Sequence, residues 1–242
     1  MRGTLVENPY GRLLIWEHPQ VGRSYAIAAD ASSGVKKSVK EGDPSACCVL
    51  DMWDCRQVAE WHGYMNPTLF GLVCSRIGLY YNSGPLAFET APSMHGLAAY
   101  NAAERYNYPT LWTQTSNDRR DPGFQPRKGW IRSPHSTMHL MNRVREAMLA
   151  KCVIRSGGLL DELAAMRLEE GRPKSEEHDD RIIAYAIALT VRDQAFFSGE
   201  IIKPAPPIED LADLDWREEE ELARTGGEPD LGDPLHDFWN RL

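Results

Sequence analysis

Residues 25–34 read YAIAADASSG, and this stretch decides the fold. Six apolar residues and one acid fill positions 25–31, the length and pattern of a buried strand. Ser32-Ser33-Gly34 then marks a turn, so Asp30 stands at the end of an otherwise apolar strand. After a polar loop at 35–42 carrying Lys36, Lys37 and Lys40, residues 45–53 and 57–61 read as two further strands around Asp54-Cys55. Three strands joined by short links suggest an antiparallel meander. Upstream, the short apolar run Leu13-Leu14-Ile15-Trp16, bounded by Gly11 and Pro19, reads as a lead-in strand.

Beyond the meander the pattern changes to alternating helix and strand, which makes the chain α/β. Residues 67–81 place Leu69, Leu72, Val73, Ile77 and Tyr80 at helical spacing, with Asn66 as N-cap and Pro67 at the first helical position. A strand at 85–90 (PLAFET) carries Glu89 at its end; a helix at 95–106 and a strand at 110–113 follow. Residues 114–134 form a polar, basic loop longer than most connections, and it contains RKGW at 127–130. A helix is expected at 136–151 with Leu140, Val144 and Met148 on one face, then a short strand at 152–155 and a helix at 159–168. A charged loop at 170–177 leads to His178-Asp179-Asp180, which opens a helix at 181–197. Ile182, Ile183, Ala186, Ile187, Leu189 and Thr190 leave that helix apolar nearly all round, so it is expected to be buried. Pro204, Pro206 and Pro207 then divide the chain into a domain at 1–203 and an acidic tail at 204–242.

Composition narrows the class. A chain of 242 residues with 42% hydrophobic content can bury a sizeable core. No apolar run approaches the ~18 residues of a membrane span, and MRGTLVENPYGR lacks the apolar core of a signal peptide. The five cysteines are odd in number and include no C-x-x-C pair, which points to neither zinc nor a disulfide framework. The net charge of −8 is unevenly spread. Residues 200–242 hold 13 of the 35 acids and 4 of the 27 basic residues, leaving 22 acids and 23 basic residues upstream. Within that balanced body, Arg119, Arg120, Arg127, Lys128, Arg132, Arg143 and Arg145 face only Asp121 along residues 119–145. A local basic patch of this kind suits a polyanionic partner that the net charge alone would argue against.

Asp30, Glu89 and the pair Asp179-Asp180 each sit at a strand end or a helix start. Hard Mg²⁺ or Mn²⁺ ions prefer carboxylate oxygens, and one shared carboxylate holds two such ions about 4 Å apart for phosphodiester cleavage. Each acid also has an ordinary reading. Asp180 suits the first turn of a helix through the helix dipole, and Asp30 suits a turn before Ser-Ser-Gly. Glu89 fits structure alone least well, because a glutamate closing an apolar strand needs a partner or a metal.

The runs YAIAADASSG (25–34), GDPSACCVLD (42–51), AEWHG (59–63), LAFET (86–90), KGW (128–130) and HDDRIIAYAIA (178–188) together resemble the nuclease domain of the large terminase subunit of tailed bacteriophages. The order of the motifs agrees as well, over roughly residues 13–197. This resemblance implies an RNase H-like fold of the RuvC/integrase superfamily: a mixed sheet of five or more strands, its first three antiparallel, flanked by helices. It further implies a metal-dependent endonuclease that cuts concatemeric double-stranded viral DNA with little sequence preference during genome packaging. Asp30, Glu89, Asp179 and Asp180 become the catalytic ligands of two Mg²⁺ or Mn²⁺ ions, with the main ligand of the Asp179-Asp180 pair left open. Partners implied are an N-terminal ATPase domain, a small terminase subunit and the capsid portal, in the cytoplasm of a bacterial host.

Other residues carry two readings each. Asp43 is a candidate to approach the metals from behind the ligands, or a turn former before Pro44. Arg127, Lys128 and Arg132, with Trp130 beside them, are candidate DNA contacts, or members of a solvated loop. His178 reads as a surface residue. No G-x-x-x-x-G-K-[ST] phosphate loop is present, so ATP hydrolysis is not expected, and the chain reads as an excised nuclease domain or a separate protein of this type. The acidic tail is either a docking segment or a solubilising one. Competing readings are another RNase H-like nuclease, such as a resolvase or transposase, and a catalytically silent module that binds DNA or protein.

Overall fold

The apolar run at 25–31 forms strand β2 (Tyr25–Asp30), buried at every position. β1 (Leu13–Ile15) precedes it, and β3 (Ser45–Asp51) and β4 (Arg56–Gly63) complete the expected meander. The computed structural model describes residues 11–34, 44–114, 126–169, 172–174 and 178–198. Helix α1 (Pro67–Tyr80) begins as its sequence dictates, with the Asn66 side chain accepting the Thr68 N–H and Pro67 in the first turn. β5 (Leu86–Ala91) and α2 (Met94–Arg105) follow. The remaining elements are β6 (Thr113–Gln114), β7 (Arg127–Lys128), β8 (Trp130–Ile131), α3 (Pro134–Leu149), α4 (Gly157–Ala165), β9 (Arg167–Glu169), β10 (Arg172–Lys174) and α5 (Asp180–Ser198).

Six strands form one sheet in the order β1-β4-β3-β2-β5-β8. β1, β4, β3 and β2 pair antiparallel in turn, whereas β5 lies parallel to β2 and β8 parallel to β5. This is the RNase H-like arrangement with one added edge strand. Side-chain alternation splits the core into two layers. Tyr25, Ile27 and Ala29 of β2 face α1 and α2 with Phe70, Val73 and Phe88. Ala26 and Ala28 face the other way, where Ile182, Ile183, Ala186 and Ile187 of α5 cover the sheet with Leu140 and Val144 of α3. Alanines at 26, 28 and 46 leave room for α5 to lie close against β2 and β3. Every residue from Ile182 to Val191 is buried, as the all-round apolar pattern predicts.

The structure departs from the sequence reading at four places. The strand expected at 110–113 is an isolated bridge from Leu111 to Leu86 plus the two-residue β6, which pairs with β7 and lies outside the main sheet. The expected loop at 114–134 contains β8, the sheet's sixth strand. The strand expected at 152–155 is a single bridge between Val153 and Arg56. The helix expected to reach residue 168 stops at Ala165, and β9 and β10 then form a hairpin where a charged loop was expected. Asp43 and the segment beyond residue 198, including the acidic tail, lie outside the described residues. Among the described residues no helix is long and apolar enough to cross a membrane.

Candidate active site

The sheet brings two of the acids together directly. Ala29 pairs with Phe88 in the parallel β2–β5 ladder, so Asp30 and Glu89, one step further, lie side by side at the carboxyl ends of these strands. That end of a parallel pair is where α/β sheets bind ligands. Both side chains project on the α5 side, in register with Ala28 and Ala87. Asp30 is 7% and Glu89 2% exposed.

Two glycines fix the backbone around Glu89. A Cβ on Gly96 of α2 would lie 1.5 Å from the Glu89 carbonyl oxygen, so that helix packs against the strand only because position 96 has no side chain. Gly129 has φ +63°, and a Cβ there would meet the Phe88 carbonyl oxygen at 2.4 Å. The Gly of RKGW thereby lets β8 join β5, a junction tightened by the Thr90 hydroxyl donating to the Lys128 carbonyl at 2.6 Å.

The other two acids arrive on α5. Asp179 is the residue before the helix, its carbonyl accepting the Ile183 N–H at 2.8 Å, and Asp180 occupies the first turn. Asp180 Oδ2 lies 3.8 Å from His178 Nδ1 and its side chain is 10% exposed, against 39% for Asp179. Arg132 links the two groups: its Nε stands 2.7 Å from Glu89 Oε1 and its Nη1 3.1 Å from Asp179 Oδ2.

Crowding these acids has a titration consequence. Burial, and next the charge of Asp30 and a hydrogen bond to it, push the Glu89 carboxyl up to about 10; Arg132 opposes the shift. Glu89 is therefore protonated near neutrality and shares its proton with Asp30, which lowers the repulsion within the cluster.

A second polar group supports α5. Glu162 of α4 accepts the backbone N–H groups of Arg181 and Ile182 at 3.0 and 3.2 Å, capping the helix from outside, and binds Arg181 Nη1 at 2.8 Å. Arg181 Nε donates to Glu60 at 3.1 Å, and Glu60 also receives Ser156 Oγ at 3.0 Å and Gln57 Nε2 at 3.2 Å. Arg181 Nη2 lies 2.8 Å from His62 Nδ1. Burial, aided by the charge of Arg181, lowers His62 to about 4. His62 opposes Ala46, which opposes Asp30, so the imidazole stands in the same row as Asp30, two strands away. The sequence reading missed this network. Its signal was the alternation of Glu60 and His62 among the apolar Val58, Ala59 and Trp61, with an arginine directly after Asp179-Asp180.

The proposed DNA contacts fall in different environments. Arg127 and Lys128 are exposed, with Lys128 Nζ 2.5 Å from Glu104 and 5.5 Å from the Tyr100 ring centroid. Trp130 is 4% exposed, its ring stacked at 6.0 Å on Trp112 and at 6.3 Å on His139. It is a core residue below the site rather than an open stacking platform. Arg132 turns inward to the acids.

Several phage nuclease structures share this architecture. The large terminase nuclease from thermophilic phage G20c with bound magnesium superposes at TM-score 0.54 and 16% identity, over 76% of this chain and 89% of that one. With bound cobalt the same protein gives TM-score 0.56 at 16% identity, over the same shares. The Thermus phage P74-26 large terminase nuclease domain gives 0.52 at 17%, over 75% and 86%. The fold is that of a large terminase nuclease domain. No protein-family model and no curated protein sequence matches the chain, so the terminase nuclease likeness is one of architecture.

Whether a divalent ion suits this site is testable on its donors. Four carboxylates supply hard oxygen ligands of the kind Mg²⁺ and Mn²⁺ prefer. Glu89 Oε1 is buried and receives no aligned hydrogen bond, although Arg132 Nε stands 2.7 Å away. Such an oxygen keeps a lone pair for a cation, and the donor set fits. Among the described residues, however, no three carboxylate, imidazole or thiol groups are drawn close enough to hold an ion as they stand. The guanidinium of Arg132 fills the space between two of them.

Proposed function

We propose that the chain is a divalent-metal-dependent endonuclease that cuts double-stranded DNA with little sequence preference, as the nuclease part of a viral genome-packaging motor. The observation that carries this reading is that Asp30 and Glu89 lie side by side at the carboxyl end of the β2–β5 pair, and that Arg132 links Glu89 to Asp179 at the start of α5, in a fold shared with terminase nuclease domains. The ligands proposed are these four acids, and the ions two Mg²⁺ or Mn²⁺. When bound, the metal supplies Lewis-acid polarisation of the phosphate and a water of lowered pKa. Asp30 and Glu89, fixed on adjacent strands, set the position of the cleavage site relative to the sheet. Glu89 would hold the metal as the carboxylate, its proton released to solvent. Arg127 and Lys128 are exposed, Lys128 reaching toward α2, and are proposed to neutralise DNA phosphates away from the reacting one. Asp43 remains a proposed approach to the metals from behind the ligands.

The partners follow from the same reading: an ATPase domain, a small terminase subunit and a capsid portal, in the cytoplasm of a bacterial host. A silent DNA- or protein-binding module is the second reading, favoured by the arginine standing among the acids. Plasmid cleavage by the purified chain with Mg²⁺, with Mn²⁺ and with EDTA, beside Asp30→Ala, separates the two. Metal-dependent nicking and linearisation lost in the variant supports the nuclease; no cleavage under any condition supports the silent module.

A further inference from the structure

Arg132 follows the end of β8, and its backbone N–H donates to the Ala91 carbonyl at 2.9 Å, which ties its main chain to the strand that carries Glu89. From there one guanidinium spans a carboxylate of the sheet and a carboxylate at the start of α5, at 2.7 and 3.1 Å. Divalent cations bind oxygens from separate elements in the same way, by charge and at a point between them. We propose that Arg132 is a positioning residue that acts as the resident counter-cation of the acidic site, standing where a divalent ion would stand and displaced from Glu89 and Asp179 when metal binds. This proposal rests on the metal-dependent nuclease reading.

Three features make the contact exchangeable rather than structural. Arg132 Nε lies 2.7 Å from Glu89 Oε1 without an aligned hydrogen bond, so the pair lacks the bidentate geometry that locks arginine to carboxylate. The Arg132 side chain is 27% exposed and Asp179 39%, which leaves the guanidinium a route to water. The ligands themselves are held independently of Arg132: Asp30 and Glu89 by the β2–β5 ladder, and the start of α5 by Glu162. The arginine thus neutralises the site before loading without being needed to build it.

Calorimetric titration of the full chain with MnCl₂ and with MgCl₂ tests this without any cleavage readout. Arg132→Ala is expected to bind metal about tenfold more tightly than the wild type, because a competing unit charge is gone. Arg132→Lys, which keeps the charge but not the fork, is expected to fall between them. Arg143→Ala removes an equal charge from a surface pair with Glu146 and Asp193 and serves as the control, with affinity close to wild type. Melting adds a second readout: Arg132→Ala is expected to melt lower than wild type without metal and to gain more from saturating Mn²⁺. A merely structural role would lower both melting temperatures alike. Equal or weaker metal affinity in Arg132→Ala overturns this proposal alone, whereas no binding in wild type or any variant overturns it together with the metal-dependent reading.

Discussion

The carboxyl groups of Glu89 and Asp30 are hydrogen-bonded across the parallel pair β2 and β5, and burial beside that second acid holds Glu89 protonated up to about pH 10. An unfolded glutamate loses its proton near 4.5. Between those values the folded state binds the extra proton, so the stability contributed by Glu89 is complete below about pH 4.5 and is lost as the pH rises toward 10. Glu89→Gln keeps a donor for Asp30 and has no proton to lose. Without metal it is expected to exceed the wild type by on the order of 2 kcal/mol at pH 8 and to match it near pH 4.5. Denaturant melts across that range check this; a difference that stays constant with pH would contradict it.

His62 gives the opposite limb. Its imidazole, lowered to about 4 by burial and by Arg181, is neutral in the fold while an unfolded histidine protonates near 6.5. The unfolded state therefore binds more protons between those values, and the stability associated with His62 is complete above 6.5 and falls away as the pH drops through about 4. Replacing it by Asn, which still offers Arg181 an acceptor, is expected to flatten acid unfolding between pH 6.5 and 4 by about 1–2 kcal/mol. An acid limb identical to the wild type's would remove His62 as its source.

The group around Arg181 predicts a coupling between stability and the site. Glu60 is 4% and Glu162 8% exposed, and both rely on the one guanidinium. Arg181→Ala leaves two buried carboxylates uncompensated and is expected to cost about 3 kcal/mol or more, larger than a typical surface change. Because Glu162 also caps α5, the variant is expected to weaken metal binding through Asp179 and Asp180 at temperatures where it remains folded. Chemical melts and Mn²⁺ titration measure the two effects, and a loss below ~1 kcal/mol would show that the network is not sharing one charge.

How much of this was legible in the sequence depends on the kind of signal. β2 and β5 could be read because a continuous small-apolar run closed by an acid is too short for a helix and too apolar for a loop. α5 could be read because its apolar residues occupy every face. β8 could not: two residues, Trp130 and Ile131, have no periodicity, and their place in the sheet depends on the positive φ of Gly129 and the Thr90 hydroxyl. The β9–β10 hairpin is hidden in RLEEGRPK, whose charges read as loop. Among the candidate site residues, the four acids stood out in the sequence by their places at the ends of apolar elements. The inward turn of Arg132 and the burial of Trp130 did not, because a basic, aromatic segment looks the same in sequence whether its side chains face phosphate, carboxylate or core.

Arg127 and Lys128 carry the remaining expectation, that the exposed β7 edge meets the DNA backbone. Each phosphate contact contributes about 0.9 to the slope of log affinity against log salt. Replacing both residues by Ala should therefore lower that slope by nearly two and weaken binding to unrelated duplexes alike. Lys128 is held by Glu104 at 2.5 Å and Asn101 at 3.0 Å in the free protein. Glu104→Gln is accordingly expected to strengthen DNA binding modestly by releasing the ammonium group. Anisotropy titrations of a labelled duplex with Ca²⁺ in place of the cleaving metal, at several salt concentrations, give the slopes. A double-Ala slope equal to the wild type's would move the phosphate contacts away from this edge.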